Sequence, residues 1–563
     1  MAEQERGTPS GALPETVTGP EAAETAVPGS VPELGTAAVP ETAPTAVQGP
    51  LRGGMILATL IISAAVANIN MAVANVALPS IGQALGSSQA VLNMVAVGFT
   101  LGLAASVLYL GALADRFGRR LMLLAGLGLS IPAAALATWA PTIEVLIVAR
   151  IIGGLAAGMA FPTTLSLVTA LFRGARQVSA IALWSGIGAG ASSLGPVAVG
   201  ALLTRFWWGS AFAITIPLAV VALVLSLIYV PRRAGESDQP VDHVGGFVSV
   251  LLVGSVVLAI NLAPIPGNRS TTLIMAGLAV FAMVGFIVRQ RRAPNPLFDL
   301  KVARRRIFWV AALAGIIAFG ALMGALFIGQ QFLQDVLGYS ALHAGLAILP
   351  SALLMIAVSP LAARVIRTRG SKTALLAGFS LLAAGFVAML FWREGVGYLH
   401  VGIAYALIGA GVGMGGAPAS RSVMGSVPVS RAGMGSATTD LQRDLGGAVM
   451  QSVLGALLSI RYATFFTGAF SELPPERQQD LSEQTAAMLK SSFGGAAHVA
   501  KLYPGNAAEI MEAARQAFTQ GSRLAVGVGL GFLLLGLAIT AVYFPNAGKE
   551  HNLNEAYERE DAR

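Results

Sequence analysis

From Met55 onward the chain alternates between long apolar runs and short polar turns. Fourteen such runs stand out: 55–75, 91–113, 121–140, 143–170, 179–203, 210–230, 244–263, 271–288, 308–333, 344–363, 373–392, 399–420, 438–460 and 518–544. A helix rises about 1.5 Å per residue, so about 20 apolar residues cross the roughly 30 Å of a bilayer's hydrocarbon. Each run is therefore predicted to be a membrane-crossing helix. Polar character gathers in two other places. Residues 1–50 are rich in Pro, Glu, Ala, Thr and Gly, without apolar periodicity, which predicts a disordered tail lacking the basic start and apolar core of a signal peptide. Residues 461–517 form the one long polar segment between runs. Its pieces 475–490 and 507–519 have weak helical character, with Ile510, Ala514 and Phe518 on one face, and fit either a cap over the outer mouth or a loosely ordered loop.

The basic residues fix an expected orientation. With the N-terminus inside, the short loops 111–120, 173–178, 231–243, 289–306, 364–372 and 421–437 carry twenty lysines and arginines, and the short loops on the other side carry three, Arg205, Arg269 and Arg393. That asymmetry and the even run count predict cytoplasmic N- and C-termini. Composition agrees: of 563 residues 55% are hydrophobic and 11% charged, against about 25% charged in soluble domains. The net charge of +8 lies in loops rather than on one face, so it points away from nucleic acid. With no cysteine, disulfides, zinc–thiolate sites and thiol chemistry are excluded. The five histidines (243, 343, 400, 498, 551) are scattered through loops and tails, and no nucleophile–base pair or metal spacing appears, so no enzyme, metal or bound cofactor is expected.

The densest charge knot lies between the second and third runs, in Gly111-Ala112-Leu113-Ala114-Asp115-Arg116-Phe117-Gly118-Arg119-Arg120. Glycines allow close approach of helix ends, and Asp115 can pair with an arginine or face a helix N-terminus. This stretch resembles the signature loop of the major facilitator superfamily. The resemblance implies an all-α polytopic membrane protein of two six-helix bundles. Fourteen spans fit if two central helices are inserted: a cytoplasmic tail over 1–52, a first bundle over 53–231, an inserted pair with a basic loop over 232–306, a second bundle over 307–545 including the outer loop 461–517, and a tail over 546–563. In that frame Gly111, Asp115, Arg116, Gly118, Arg119 and Arg120 form a conformational latch.

Further motifs point to the fourteen-span drug:proton antiporter branch. Asn75 and Val76-Ala77-Leu78-Pro79 match that branch's span 1 signature, but Asn70 stands where the branch has an acid and Ala72 where it has Thr. Gly186, Gly190, Gly195, Pro196 and Gly200 resemble the antiporter motif of span 5, in which Pro196 kinks the helix and the glycines give a smooth packing face. Arg150 matches the span 4 arginine, which the resemblance places on the central cavity, with Gly153 replacing the usual Gln. A proton-coupled carrier needs a titratable group within the membrane, and Asn70 is not one. Asp440, Arg443 and Asp444 in span 13 share a helical face by their spacing, so Asp440 or Asp444 is the candidate replacement; an ion-pair cluster that locks the bundles explains them as well. The second-bundle loop 359–372 keeps Gly370 but has Arg367 at its acid position. Gln330 and Gln334 share a face of span 9 and are candidate cavity residues, with Trp184.

The predicted cavity is apolar with sparse polar points, which suits amphipathic compounds. The resemblance implies alternating-access export of lipophilic small molecules across the bacterial inner membrane by a monomer, in exchange for protons driven by their gradient. The rivals are export of an endogenous lipid or secondary metabolite, uncoupled facilitated diffusion, and a non-transporting membrane scaffold or sensor.

Overall fold

A computed structural model describes residues 53–172, 176, 180, 183, 184, 194–231, 240–265, 267–428, 432–471 and 482–561. The described residues form helices and no strand. Among the described residues thirteen helices are long and apolar enough to cross a membrane, so the chain is a multi-pass membrane protein. They include α1 (Gly53–Leu85), α2 (Gln89–Phe117), α3 (Arg119–Thr138) and α4 (Ile143–Leu171). The fifth run is represented by the shorter α5 (Leu194–Leu203), followed by α6 (Ser210–Tyr229). Next come α7 (His243–Leu262), α8 (Arg269–Arg292), α9 (Arg306–Val336), α10 (Ala341–Arg369), α11 (Ser371–Leu390) and α12 (Tyr398–Gly425). The chain continues with α13 (Ala432–Ser471), two short helices, α14 (Glu483–Ser491) and α15 (Phe493–Leu502), then α16 (Ala507–Tyr543) and α17 (Ala547–Asp561).

Several of the runs are cores of longer helices, as α1 already shows by continuing ten residues past the first run, to Leu85. The thirteenth run ends at 460 but α13 continues to Ser471, and α16 begins eleven residues before its run. Hydropathy measures what lipid can cover, whereas a helix continues until a cap or breaker stops it. The segment 507–517 is thus the first part of the last spanning helix. Ser482 and Ser492 start the two short helices by accepting backbone N–H bonds from Thr485 and Gly495.

In lipid there is little hydrophobic drive between helices, and close packing of small residues takes its place. The crossing of α2 and α4 shows this: a Cβ on Gly102 or Gly154 would overlap the backbone of the facing helix. The same device recurs where α9 meets α13, at Gly320 and Gly446, and where α11 meets α12, at Gly378 and Gly411. In the first half α1 packs on α4 and α6, and α3 on α4 and α6; in the second α9 packs on α12 and α13, and α11 on α12 and α16. α7 lies against α2 and α13 together, and α8 packs on α7. The α7 contact carries an Asn261 Nδ2 to Ser452 Oγ hydrogen bond of 2.6 Å at one end and a Tyr109–His243 contact of 2.9 Å at the other.

The bundle has two chemically distinct ends. One holds the DRFGRR turn and the other basic loops; the opposite end holds α14 and α15. At the arginine-rich end α17 straps three helix ends of the second half. Arg305, just before α9, donates to Asp561 at 2.5 and 3.1 Å and to the Ser426 carbonyl after α12 at 2.8 Å. The Asp561 bond raises the Arg305 pKa above its ordinary value. Glu550 accepts from Ser371 Oγ at 2.6 Å and Ser371 N at 3.2 Å, at the start of α11.

Candidate functional site: a cavity between the two halves

A cavity of about 300 Å³ lies between α1, α4 and α5 on one side and α9, α10 and α13 on the other. Its wall is mostly apolar, with Phe161, Trp184, Phe319 and Met323 prominent, and with amides at Asn68, Asn75 and Gln330. Trp184 donates from Nε1 to Thr164 Oγ1 at 3.1 Å and leans on Phe161, ring centroids 5.6 Å apart. Arg443 enters from α13 and lays its guanidinium over the Phe161 ring at 4.4 Å. A cation on an aromatic face is attracted by the ring quadrupole, more so away from water.

The cavity is sealed at the opposite end. Gln89 Nε2 donates to Gln331 Oε1 at 2.5 Å, Asn93 Nδ2 to Ser459 Oγ at 3.1 Å and Gln334 Nε2 to the Val76 carbonyl at 3.0 Å. Gly200 of α5 packs so closely on α10 that a Cβ would sit 2.5 Å from the Ala341 carbonyl oxygen, and Gly345 meets Pro196 in the same way. α15 crosses over this seam: Ser492 Oγ donates to the Ser87 carbonyl at 2.8 Å, and Gly494 lies against Gly82.

At the arginine-rich end a second cavity of about 530 Å³ separates the halves. Asp115, Arg116 and Arg119 line it from one side and Met434, Ala437 and Asp440 from the other, with Asp242 at the start of α7. Asp242 is buried, accepts from Arg289 Nε at 2.8 Å and caps Gly245 N at 3.0 Å.

The predicted residues distribute over these features unevenly. Asn75, Trp184, Pro196, Gln330 and Arg443 line the central cavity. Gln334 does not; it crosses to α1 as part of the seal. Gly195 packs against Ile69 of α1, and Gly186 and Gly190 lie outside the described residues.

Arg150 departs from expectation. It is buried at 2% exposure among α1, α2, α4 and α6, away from the cavity wall. Its Nη1 donates to the Asn70 carbonyl at 2.8 Å and its Nε to the Val95 carbonyl at 3.5 Å, while its guanidinium lies 4.8 Å from the Phe99 ring and 5.5 Å from Phe212. The tight α2–α4 crossing encloses its stem and turns it into the first half. Asn70 likewise faces inward, donating from Nδ2 to the Val66 carbonyl at 3.3 Å.

Asp440, Arg443 and Asp444 lie on one continuous helix, α13, but their side chains end in different places. Arg443 reaches the central cavity, Asp440 the second cavity, and Asp444 is buried at 1% exposure with Oδ1 3.2 Å from Arg443 Nε. The length of the arginine side chain lets its guanidinium reach the central cavity while its Nε stays paired with Asp444.

The DRFGRR stretch holds its own half together in this conformation. Asp115 pairs with Arg119 at 3.1 Å, Arg119 Nη1 donates to the Ser166 carbonyl of α4 at 2.9 Å, and Arg120 Nη2 to the Leu227 carbonyl of α6 at 2.8 Å. Gly118 adopts φ +104°, which joins α2 to α3 without a linker. Gly111 is not at a close approach: a Cβ there would meet open space, because it faces the second cavity.

The pseudo-equivalent second-half turn has Gly370 at φ +85° and Arg367 where the first has its acid. A carboxylate nevertheless reaches the first residue of the following helix, supplied by Glu550 of α17. Sequence reasoning missed this contact, as it missed Asn68, Phe161 and Phe319 on the cavity wall. Nothing in local spacing links residue 550 to residue 371, and every face of these helices is apolar.

A family model described as Major Facilitator Superfamily matches residues 60–451. The chain belongs to this superfamily. It is 29% identical over 507 residues to the multidrug efflux pump LfrA of Mycolicibacterium smegmatis, covering 90% of this chain and 99% of that one. It is 30% identical over 477 residues to the multidrug resistance protein Stp of Mycobacterium tuberculosis, covering 84% and 87%. Among solved structures its fold resembles a peptide transporter, POT, in complex with sulfate, with TM-score 0.58, 16% identity and coverage of 83% and 97%.

Proposed function

We propose that this major facilitator protein exports lipophilic or amphipathic small molecules, drugs among them, from a bacterial cytoplasm by alternating access in exchange for protons. The observation that carries this reading is the apolar cavity between the halves, closed at one end by cross-half hydrogen bonds and tight glycine contacts. Rocking the halves would open that seam and close the second cavity, exposing the central cavity to each side in turn. The efflux and resistance names of LfrA and Stp support export as the direction. The arginine-rich end is the cytoplasmic one by the positive-inside rule, which puts both termini inside. The chain acts as a monomer, since both walls of the cavity come from one chain.

Protons are assigned to α13. Asn70 cannot titrate, and the central cavity has no carboxylate among its described lining residues. Asp440 lines the second cavity, opposite the Asp115–Arg119 pair, and its neighbour Asp444 holds Arg443. Proton exchange at Asp440 would change the charge facing that pair as the second cavity opens and closes.

The test is uptake of a substrate panel into proteoliposomes with an imposed pH gradient, with and without protonophore. Wild type is expected to accumulate substrate only with the gradient. Asp440→Asn is expected to leave downhill exchange and abolish accumulation. If Asp440→Asn and Asp444→Asn both still accumulate substrate, α13 is not the proton site. Gradient-independent equilibration in wild type would favour the second reading, an uncoupled facilitator, for which Asn70 in place of an acid is the specific argument.

A further inference from the structure

We infer that the central cavity selects amphipathic organic anions and takes a carboxylate on the outer edge of the Arg443 guanidinium. This rests on the transport reading above and adds the charge class of the cargo. Arg443 is the one charged side chain among the described residues lining the cavity, and neither Asp nor Glu is among them.

Its surroundings leave one direction free. The Nε edge is held by Asp444 Oδ1 at 3.2 Å. One face of the guanidinium lies on the Phe161 ring at 4.4 Å. The terminal NH₂ groups donate to no acceptor among the described residues, and the side chain keeps 26% exposure. Asp444 itself is 1% exposed and does not line the cavity. The ion pair is therefore oriented, with its carboxylate behind and its donors in front.

A guanidinium presenting its donor edge from a fixed position matches the two oxygens of a carboxylate. In an apolar cavity the attraction is screened far less than in water. The aromatic faces of Trp184 and Phe319 then cover a flat apolar body, and the Asn68, Asn75 and Gln330 amides offer neutral hydrogen-bonding points. A lipophilic dication in the same cavity would meet the donor side of this pair, with the Asp444 carboxylate turned away behind it.

Three probes separate the possibilities: pyrenebutyrate, its methyl ester and methyl viologen. The first measurement is the shift in melting temperature of the purified full chain in detergent. The second is proteoliposome transport of each probe. Pyrenebutyrate is expected to stabilise wild type most, the ester less and methyl viologen least. Arg443→Gln is expected to weaken pyrenebutyrate binding by about tenfold more than it weakens ester binding, and Arg443→Lys to restore part of that difference. Equal weakening of acid and ester, or tighter binding of methyl viologen than of the acid by wild type, would overturn the inference. Selective binding of the acid without transport of any probe would leave the anion site standing and remove the transport reading instead.

Discussion

Two arginines on membrane-spanning helices of opposite halves, one buried and one at the cavity, show how differently one residue type is used. Arg150 and Arg443 are both stacked on aromatic rings, yet only Arg443 has a carboxylate beside it. Arg150 is held by helix carbonyls, and its Nη2 has no partner among the described residues. Helix carbonyls are already served by their own backbone, so losing the arginine strands nothing, and its desolvation disappears. Arg150→Met, close in volume, is therefore expected to match or exceed wild-type melting temperature. Arg150→Ala leaves a void and is expected to cost about 2–4 kcal/mol. A large loss of stability in the Met variant would show that the charge itself holds the first half together.

At the scale of helices, the decisive contacts are those where backbones touch across the seam. Gly200 has no room for a side chain against Ala341, because the obstacle is backbone rather than a movable side chain. Gly200→Val is expected to push α5 from α10 and raise the population open at the end that carries α15. Since the chain has no cysteine, a cysteine placed at Gln331 would report this without background, its labelling by an impermeant maleimide rising several-fold above that in an otherwise wild-type chain. Unchanged labelling would mean the seam is held elsewhere.

Most of the helices were readable from the runs, since length and apolarity answer directly to bilayer thickness. Their ends were less so: the water-exposed turns of α13 and α16 carry polar residues that hydropathy discounts. Facing directions were hardest to read. On helices apolar all round, periodicity does not say whether residue 150 looks at the cavity or at its own half. The crossing at Gly102 and Gly154 settles it, and that pairing is tertiary. Gly200 and Pro196 do meet α10 at backbone distance, where a close approach depends on the backbone, whereas Gly111 faces open space and a long charged side chain can turn.

For the whole molecule, the two halves repeat one turn design but complete it differently. The first keeps its acid in the turn, as Asp115. The second receives it from the end of the chain, as Glu550, with Asp561 fixing the same helix to Arg305. Glu550→Gln keeps an acceptor but removes the charge from two hydrogen bonds, a loss on the order of 1 kcal/mol for a half-buried group. Hydrogen–deuterium exchange over 547–561 is expected to rise, and to rise further with Asp561→Asn added. Exchange unchanged in both variants would show that Leu553 and Tyr557, packed against the second-half core, suffice.

The strap also has a practical bearing. Asp561 closes the strap on Arg305, so a label placed beside it would act directly on that contact. Purification or imaging labels set away from 547–561 leave intact the helix that completes the second turn.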